Sequence, residues 1–381
     1  MSLAGWGNVA AIAGFLGLWH ARATVDPLPY PIHLPDGFSI STYATGLPGI
    51  RFLTLSPRGE LMASIPDDGR IVLFRDRLHG LETLTFASGL DRPHGLAWRQ
   101  GDLYVAETGA VVRLTPSADG MKAERRTVVT RSIPAGGMHW TRTLVFGPDG
   151  HMFVSVGSDC NVCRESDPRR AAILRFNPDG TGATIYARGI RNAVGLAWEP
   201  GTRNFWATEN GRDWLGNERP PDALDRIVQG GNYGWPYCYG QRTPDPKYLD
   251  PGRCRGVVPS ALDLQAHSAP LGICFYSGNQ FPAGYRGDAF VAFHGSWNRQ
   301  PPTGYKVVRV RFRNNRPVAY QDFATGWLRG ARAWGRPVDV LVARDGSLFV
   351  SDDRGGRVYR IRYTTNAPAS SGGGGAAMRS R

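Results

Sequence analysis

One phrase recurs along the whole chain: an apolar strand, a turn rich in Pro, Asp and Gly, and a second apolar strand. It reads FLTLSPRGELMAS from Phe52, GLAWRQGDLYVAE from Gly95 and TLVFGPDGHMFVS from Thr143. It returns as GLAWEPGTRNFWATE from Gly195, GICFYSGNQFPAGYRGDAFVAF from Gly272 and VDVLVARDGSLFVSD from Val338, which makes six copies. Most copies run on into a third segment with apolar residues at alternate positions: Arg70 to Phe74, Val111 to Leu114, Ile173 to Phe176 and Val358 to Ile361. Consecutive antiparallel strands repeated in this way are the mark of propeller blades. The chain is therefore expected to be all-β, a six-bladed β-propeller with four-stranded antiparallel blades. A sandwich of Greek keys would not require such self-similar hairpins.

Composition agrees: 49 Gly and 28 Pro beside 11 Trp and 14 Tyr suit short strands joined by tight turns, and 41% hydrophobic residues supply a sizeable core. At 381 residues the chain could hold two average domains, but a propeller uses such a length for one unit around one axis. The expected propeller spans residues 34–363. The longest insert, from about Asp213 to His267, holds WLGNERPPD and GGNYGWPYCYG, and a long insertion on one face usually shapes a binding site. The Ala-, Ser- and Gly-rich stretch from Thr364 to Arg381 is expected to be a disordered tail.

The formal net charge of +13 raises the question of nucleic acid, but its Lys and Arg are scattered rather than gathered on one element. Arg309, Arg311 and Arg313 alternate with Val310 and Phe312, as on the solvent face of a strand. Small anions or an anionic membrane surface are the more natural partners. Met1 to about Trp19 is largely apolar and uncharged, and Ala21-Arg22-Ala23 follows as a small-x-small step, though a basic n-region is missing. Residues 1–23 are expected to be a signal peptide or an uncleaved anchor, giving a periplasmic or secreted protein.

Five cysteines fall in two groups and a singleton. The Cys160-Asn161-Val162-Cys163 spacing suits a metal knuckle, a redox pair or a small disulfide loop, but no second C-x-x-C and no nearby His pair completes a zinc site. Export favours two structural disulfides, Cys160 with Cys163 and Cys238 with Cys254, leaving Cys274 as a buried free thiol.

In a propeller the first strand of each blade lines the axis, so the residues just before each first strand arrive at one mouth. These are Arg51; Arg92 and His94; His139; Arg191 and Asn192; His267; and Arg336. A purely structural turn would favour Gly, Asn, Asp or Pro at such places. Cations at one repeat phase imply a basic ring that pairs with a multiply charged acid. No G-x-G-x-x-G opens a helix, no G-x-x-x-x-G-K-S/T is present, and there is no G-x-S-x-G elbow, so nicotinamide, ATP and serine-hydrolase chemistry lack support.

GIRNAVGLAW (Gly189 to Trp198), ATENGRD (Ala207 to Asp213), DRIVQGGNYGWP (Asp225 to Pro236) and FHGSWNR (Phe293 to Arg299) follow one another in an order that resembles the soluble pyrroloquinoline quinone (PQQ) dependent aldose and glucose dehydrogenases. The likeness runs from about Leu34 to Tyr363 and is nearest to the L-sorbosone dehydrogenase-like branch. It implies a quinoprotein that oxidises a sugar or sugar aldehyde by hydride transfer to PQQ and passes electrons to a non-nicotinamide acceptor such as a quinone or cytochrome. By this resemblance His139 is the catalytic base, and a neutral imidazole suits that task. Arg191 and Asn192 match an RN pair expected to contact the quinone oxygens. Arg336 matches one of two cofactor arginines in the last blade, and Val338 stands where the second is expected. Arg299, with Arg51 and His94 of the ring, completes the expected cofactor-binding set. Calcium is expected on the backbone carbonyls of Gly211 and Arg212, where it would polarise the quinone. Aromatic faces at Trp214, Trp297 and Trp327 are candidates to stack on a sugar.

Two alternatives come from other classes. A calcium-dependent lactonase on the same fold needs several Asp, Glu and Asn side chains converging on the ion, whereas this mouth reads as basic. A non-catalytic propeller that binds protein or glycan remains open because fold does not fix function.

Overall fold

Strands whose two faces are both apolar cannot end at water, and the second strand of every repeat is of this kind: Leu61–Ile65, Met152–Val156, Ala289–Phe293 and Leu348–Asp352 are buried at every residue. The outermost strands instead mix buried and exposed positions, as in Gly80–Ala87 and Ala123–Thr130. A computed structural model describes residues 27–78 and 80–364. In it six four-stranded antiparallel sheets surround one axis as a six-bladed propeller, with innermost strands Leu53–Leu55, Leu96–Arg99, Leu144–Phe146, Ala193–Trp198, Pro270–Phe275 and Pro337–Val342. The leader or anchor expected over 1–23 and the tail from residue 365 lie outside the described residues.

The ring closes through a strand that the repeat pattern does not contain. Phe38–Ala44 lies antiparallel on Arg357–Tyr363, so the start of the propeller supplies the outermost strand of the sixth blade. Phe38 is fixed there by edge-on contacts to Phe281, Phe323 and Tyr363 at 4.8, 5.1 and 4.9 Å.

Each pair of neighbouring blades shares one apolar cluster. The sixth and first blades meet through Phe74, Val72, Phe349 and Val358, and the fifth and sixth through Phe290, Val307, Val350 and Tyr359. Truncating one such residue, Phe74→Ala for instance, is expected to remove about 3–5 kcal/mol. Near the axis, side-chain hydroxyls rivet inner strands across blades. Ser351 Oγ donates to the Arg51 carbonyl at 2.6 Å, Ser64 Oγ to the His94 carbonyl at 2.9 Å, and Thr143 Oγ1 to the Val194 carbonyl at 2.6 Å. Gly272 stands at such a close approach that an added Cβ would run into Asp339.

The long insert between the fourth and fifth copies contains the missing parts of the fourth blade, Asp222–Ile227 and Leu262–Leu264. It also lends Gly231–Asn232 to the third blade as a parallel fifth strand. Both expected disulfides are present, Cys160–Cys163 and Cys238–Cys254. Cys274 is free and packs partly buried against the cluster between the fifth and sixth blades, with burial pushing its thiol up.

Candidate active site

A cavity of about 390 Å³ opens at the mouth where the chain enters the inner strands, within the roughly 300–1,000 Å³ of small-molecule clefts. Its walls include His139, Trp140, Arg191, Asn192, Asn210, Gly211, Asp213, Asp222, His267, His294, Trp297, Asn298 and Arg336.

Two loop sets build it. The entry loops carry His139, Arg191, Asn192, His267 and Arg336, the residues singled out by repeat phase. The loops leaving the second strands carry Asn210, Asp213, His294 and Asn298, which that comparison passed over.

His139 is held in one tautomer. Its Nδ1 lies 2.9 Å from the Ser158 carbonyl and 3.0 Å from Ser158 Oγ, while Ser158 Oγ spends its own proton on the Cys160 carbonyl at 2.7 Å. Both neighbours of Nδ1 are therefore acceptors, so Nδ1 carries the hydrogen and Nε2 is bare. Burial, with the Arg191 charge adding to it, lowers the imidazole to about 3, which keeps it neutral at ordinary pH. Gly157 makes room for this arrangement, since a Cβ there would meet His139 Cβ at 2.5 Å and Asn192 Oδ1 at 2.7 Å.

Arg191 has all five of its N–H donors engaged by the protein. Nε donates to the Asn161 carbonyl at 3.1 Å, Nη1 to the carbonyls of Asn210 and Gly211 at 3.2 and 2.9 Å, and Nη2 to Asn161 Oδ1 and Asp213 Oδ2 at 3.0 and 2.9 Å. Its side chain is only 4% exposed. Arg191 thus stands at the cavity wall as a fixed charge whose donors all have partners within the protein.

Arg336 is the opposite case. Nε and Nη2 donate to the carbonyls of His294 and Gly295 at 3.1 and 2.9 Å, and among the described residues Nη1 has no partner. Asn192 presents an acceptor. Asn210 Nδ2 is fixed on the Pro270 carbonyl at 2.7 Å, so Asn210 Oδ1 faces Asn192 Nδ2 at 3.4 Å and Asn192 Oδ1 remains buried without a partner.

The other expected site residues take supporting places. His94 is buried, with Nδ1 at 3.3 Å from the Arg142 carbonyl, and burial followed by the Arg51 charge holds it well below the usual imidazole range. Arg51 pairs with Asp353 at 2.8 Å. Together with Arg92, whose guanidinium lies 3.8 Å over the Trp140 ring, they back Trp140 rather than line the cavity. Arg299 turns away to Glu218 at 2.7 Å and the Asn217 carbonyl, bracing the insert. Arg212 Nη1 donates to both carboxylate oxygens of Asp245 at 2.8 and 2.9 Å, and of the pair Gly211 and Arg212 it is Gly211 that lines the cavity. Trp327 is fully buried between the fifth and sixth blades and offers no face to a sugar. Trp214 and Trp297 are exposed and meet edge to face at 5.1 Å.

The basic ring is also offset by acids the repeat phase did not show. Asp213 answers Arg191, and Asp353 answers Arg51 and His294, the latter at 2.9 Å. Burial alone would raise Asp353, but His294, Arg51 and Arg336 together hold it below the usual carboxylate range. Burial raises the Asp222 carboxyl to about 7. Mutual repulsion among cations is thus largely neutralised within the protein, and the anion-binding capacity rests mainly on Arg336.

The sequence matches the glucose/sorbosone dehydrogenase family over residues 96–360. The chain belongs to that family. Among its relatives, an uncharacterised protein of Borreliella burgdorferi is 28% identical over 349 residues, covering 87% of this chain and 91% of its own. A PQQ-dependent pyranose dehydrogenase of Coprinopsis cinerea is 27% identical over 411 residues, covering 87% of this chain and 55% of its own. The holo PQQ domain of a Coprinopsis cinerea pyranose dehydrogenase superposes with a TM-score of 0.76 at 23% identity, covering 89% of this chain and 99% of that domain. A calcium structure of a Trichoderma reesei carbohydrate-active enzyme of family AA12 superposes with a TM-score of 0.76 at 23% identity, over 90% of this chain and 100% of that one.

The walls suit a flat, acidic cofactor. Trp140 and Trp297 provide aromatic surface, Arg336 Nη1 has donors to spare, and the orphaned Asn192 Oδ1 accepts from a donor. For calcium the donors fit in kind: the Gly211 carbonyl retains a lone pair beyond the one given to Arg191, and Asp213 stands beside it. Among the described residues the one three-residue group of metal-ligating type is Cys160, Cys163 and Glu165, where both cysteines are in a disulfide.

Proposed function

We propose that this protein oxidises a sugar or sugar aldehyde with PQQ and calcium, with His139 as the base, and delivers the electrons to a quinone or cytochrome. The observation that carries the reading is the His139 tautomer: a neutral imidazole with bare Nε2 at the wall of a cavity whose opposite side offers the free Arg336 Nη1. PQQ, when bound, supplies the hydride acceptor and calcium a Lewis acid at its carbonyl.

The protein's own part is positional and electrostatic. His139 Nε2 takes the proton of the substrate hydroxyl, and Nδ1–H stays on the Ser158 carbonyl, which holds the ring in plane as charge develops. Arg191 sets a positive field at the wall without moving. Arg336 grips an acidic group of the cofactor, and the Gly211 carbonyl with Asp213 serves calcium. Trp214 and Trp297, at the rim, are placed to stack on a sugar ring. Two disulfides support an oxidising, periplasmic or secreted location.

The test is reconstitution of the purified apo-protein with PQQ and calcium, followed by dye reduction across a panel of aldoses and aldehydes. Turnover with some member, and its loss in His139→Ala with PQQ binding kept, is the expected result. The absence of both a PQQ absorbance change and dye reduction would sink the proposal.

A further inference from the structure

The Cys160–Cys163 disulfide closes a four-residue ring in the loop that leaves the second strand of the third blade. Every residue between Ser158 and Val162 except Asp159 turns a polar atom toward the catalytic wall or the insert that covers it. The Cys160 carbonyl takes the Ser158 hydroxyl, which leaves Ser158 Oγ as an acceptor for His139 Nδ1. The Val162 carbonyl takes Lys247 Nζ at 2.7 Å.

Asn161 is the hub. Its carbonyl accepts from Arg191 Nε at 3.1 Å and from Trp235 Nε1 at 3.2 Å. Its Oδ1 accepts from Arg191 Nη2 at 3.0 Å and from the Asp213 amide at 2.8 Å, and its Nδ2 donates to the Asp213 carbonyl at 3.2 Å. Asp213 in turn accepts from Asn298 at 2.8 Å, so one asparagine ties loops of the third, fourth and fifth blades together. Two of the five Arg191 donors end on this residue, and they belong to a nearly buried cation for which a lost partner is expensive.

We propose that Asn161, mounted on the Cys160–Cys163 ring, is a positioning residue that holds the Arg191 guanidinium and Asp213 in place, so that the affinity of the site for its quinone cofactor depends on the ring. This rests on the PQQ reading above. A short covalent ring has few backbone states, and a carbonyl and an amide displayed from it aim at Arg191 together. Unlike Gly211 or Asp213, Asn161 is not a wall of the cavity, and it acts through Arg191.

Two measurements on the full-length protein test it. The first is equilibrium titration of the apo-protein with PQQ by tryptophan fluorescence. Asn161→Leu should bind at least about tenfold more weakly, Asn161→Asp should stay within about threefold of wild type because it keeps the acceptor for Arg191 Nη2, and Cys160→Ser/Cys163→Ser should fall between them. The second is solvent exchange of the Arg191 Nη2 hydrogens in apo-protein, whose acceptor Asn161 Oδ1 the leucine removes, read by NMR on 15N-arginine protein with Arg191→Lys for assignment. It should be slow in wild type and fast in Asn161→Leu. Wild-type affinity in Asn161→Leu or in the double serine variant, or a loss that Asn161→Asp does not recover, would overturn the inference. A wild-type protein that ignores PQQ, yet shows Arg191 exchange released by Asn161→Leu, would sink the cofactor reading and leave the positioning role standing.

Discussion

Arg191 and Arg336 occupy the same phase of the repeat, face the same cavity and do different work. Arg191 is locked by five hydrogen bonds to two loops, while Arg336 is held by two and has Nη1 to give. His139 hangs from the Arg191 side through Ser158, and on the Arg336 side the Asp353 carboxylate joins His294 to Arg51. One half of the mouth is a rigid frame for chemistry, and the other is a hand with a free grip. The lesson is that a charged residue at a mouth is a ligand contact only to the extent that its donors are unspent.

The largest expected effect separates base from grip. His139→Ala should lower turnover by about 10²–10⁴-fold with PQQ affinity nearly unchanged, read by steady-state dye reduction beside a PQQ titration. If affinity falls in proportion, the division fails. Next, Arg191→Met should destabilise the apo-protein by about 3–5 kcal/mol in urea unfolding, because Asp213, Asn161 Oδ1 and three carbonyls lose a buried partner. Arg336→Met should weaken PQQ binding by about 10–100-fold with a smaller loss of apo-protein stability than Arg191→Met. Reversal of that order would break the comparison outright.

Acid should act on both halves through buried histidines. His139, His94 and His294 have folded values lowered below the unfolded value, chiefly by burial, so the unfolded chain takes up protons near pH 6.5 that the folded chain refuses. These histidines therefore contribute stability that is lost as pH drops below about 6.5, the His139 share levelling off near pH 3, while the buried carboxyls of Asp222, Asp225 and Asp339, raised to about 7, act in the opposite sense. Asp353 has the same sign in a lower window: its lowered folded value gives stability that is present above the unfolded carboxylate range and is lost in strong acid. In urea unfolding from pH 7 to 4, His139→Gln should lose less stability on acidification than wild type, and that difference is the His139 share. The smallest effect is kinetic. Because His139 stays neutral to about pH 3, kcat/KM between pH 7 and 5 should change less than about twofold on its account.

Much of the propeller could be read from local pattern. The hairpins at Phe52, Gly95, Thr143, Gly195, Gly272 and Val338 all became the inner pair of a blade, and the alternation in Arg70–Arg77, Val111–Pro116 and Arg357–Tyr363 became third strands. The closing strand Phe38–Ala44 was not legible, because its partner lies at the other end of the chain and its own burial is partial. At the mouth, entry-loop residues were found by phase. His294, Asn210 and Asp353 were missed because the residues following each second strand were not compared in the same way, although that position reaches the same end of the propeller.

What followed from residue order alone is whatever depends on neighbours within a hairpin: strand period, turn chemistry, the number of blades and the phase that brings His139, Arg191 and Arg336 to one cavity. What needed the tertiary structure is who answers each charge. A guanidinium has five donors, and their acceptors here come from residues 19 to 30 positions away in sequence, Asn161 in one direction and Asn210, Gly211 and Asp213 in the other. Hydrogen bonds are saturable and directional, so the same Arg becomes frame or grip according to partners that only the closed ring of blades brings within 3 Å or so.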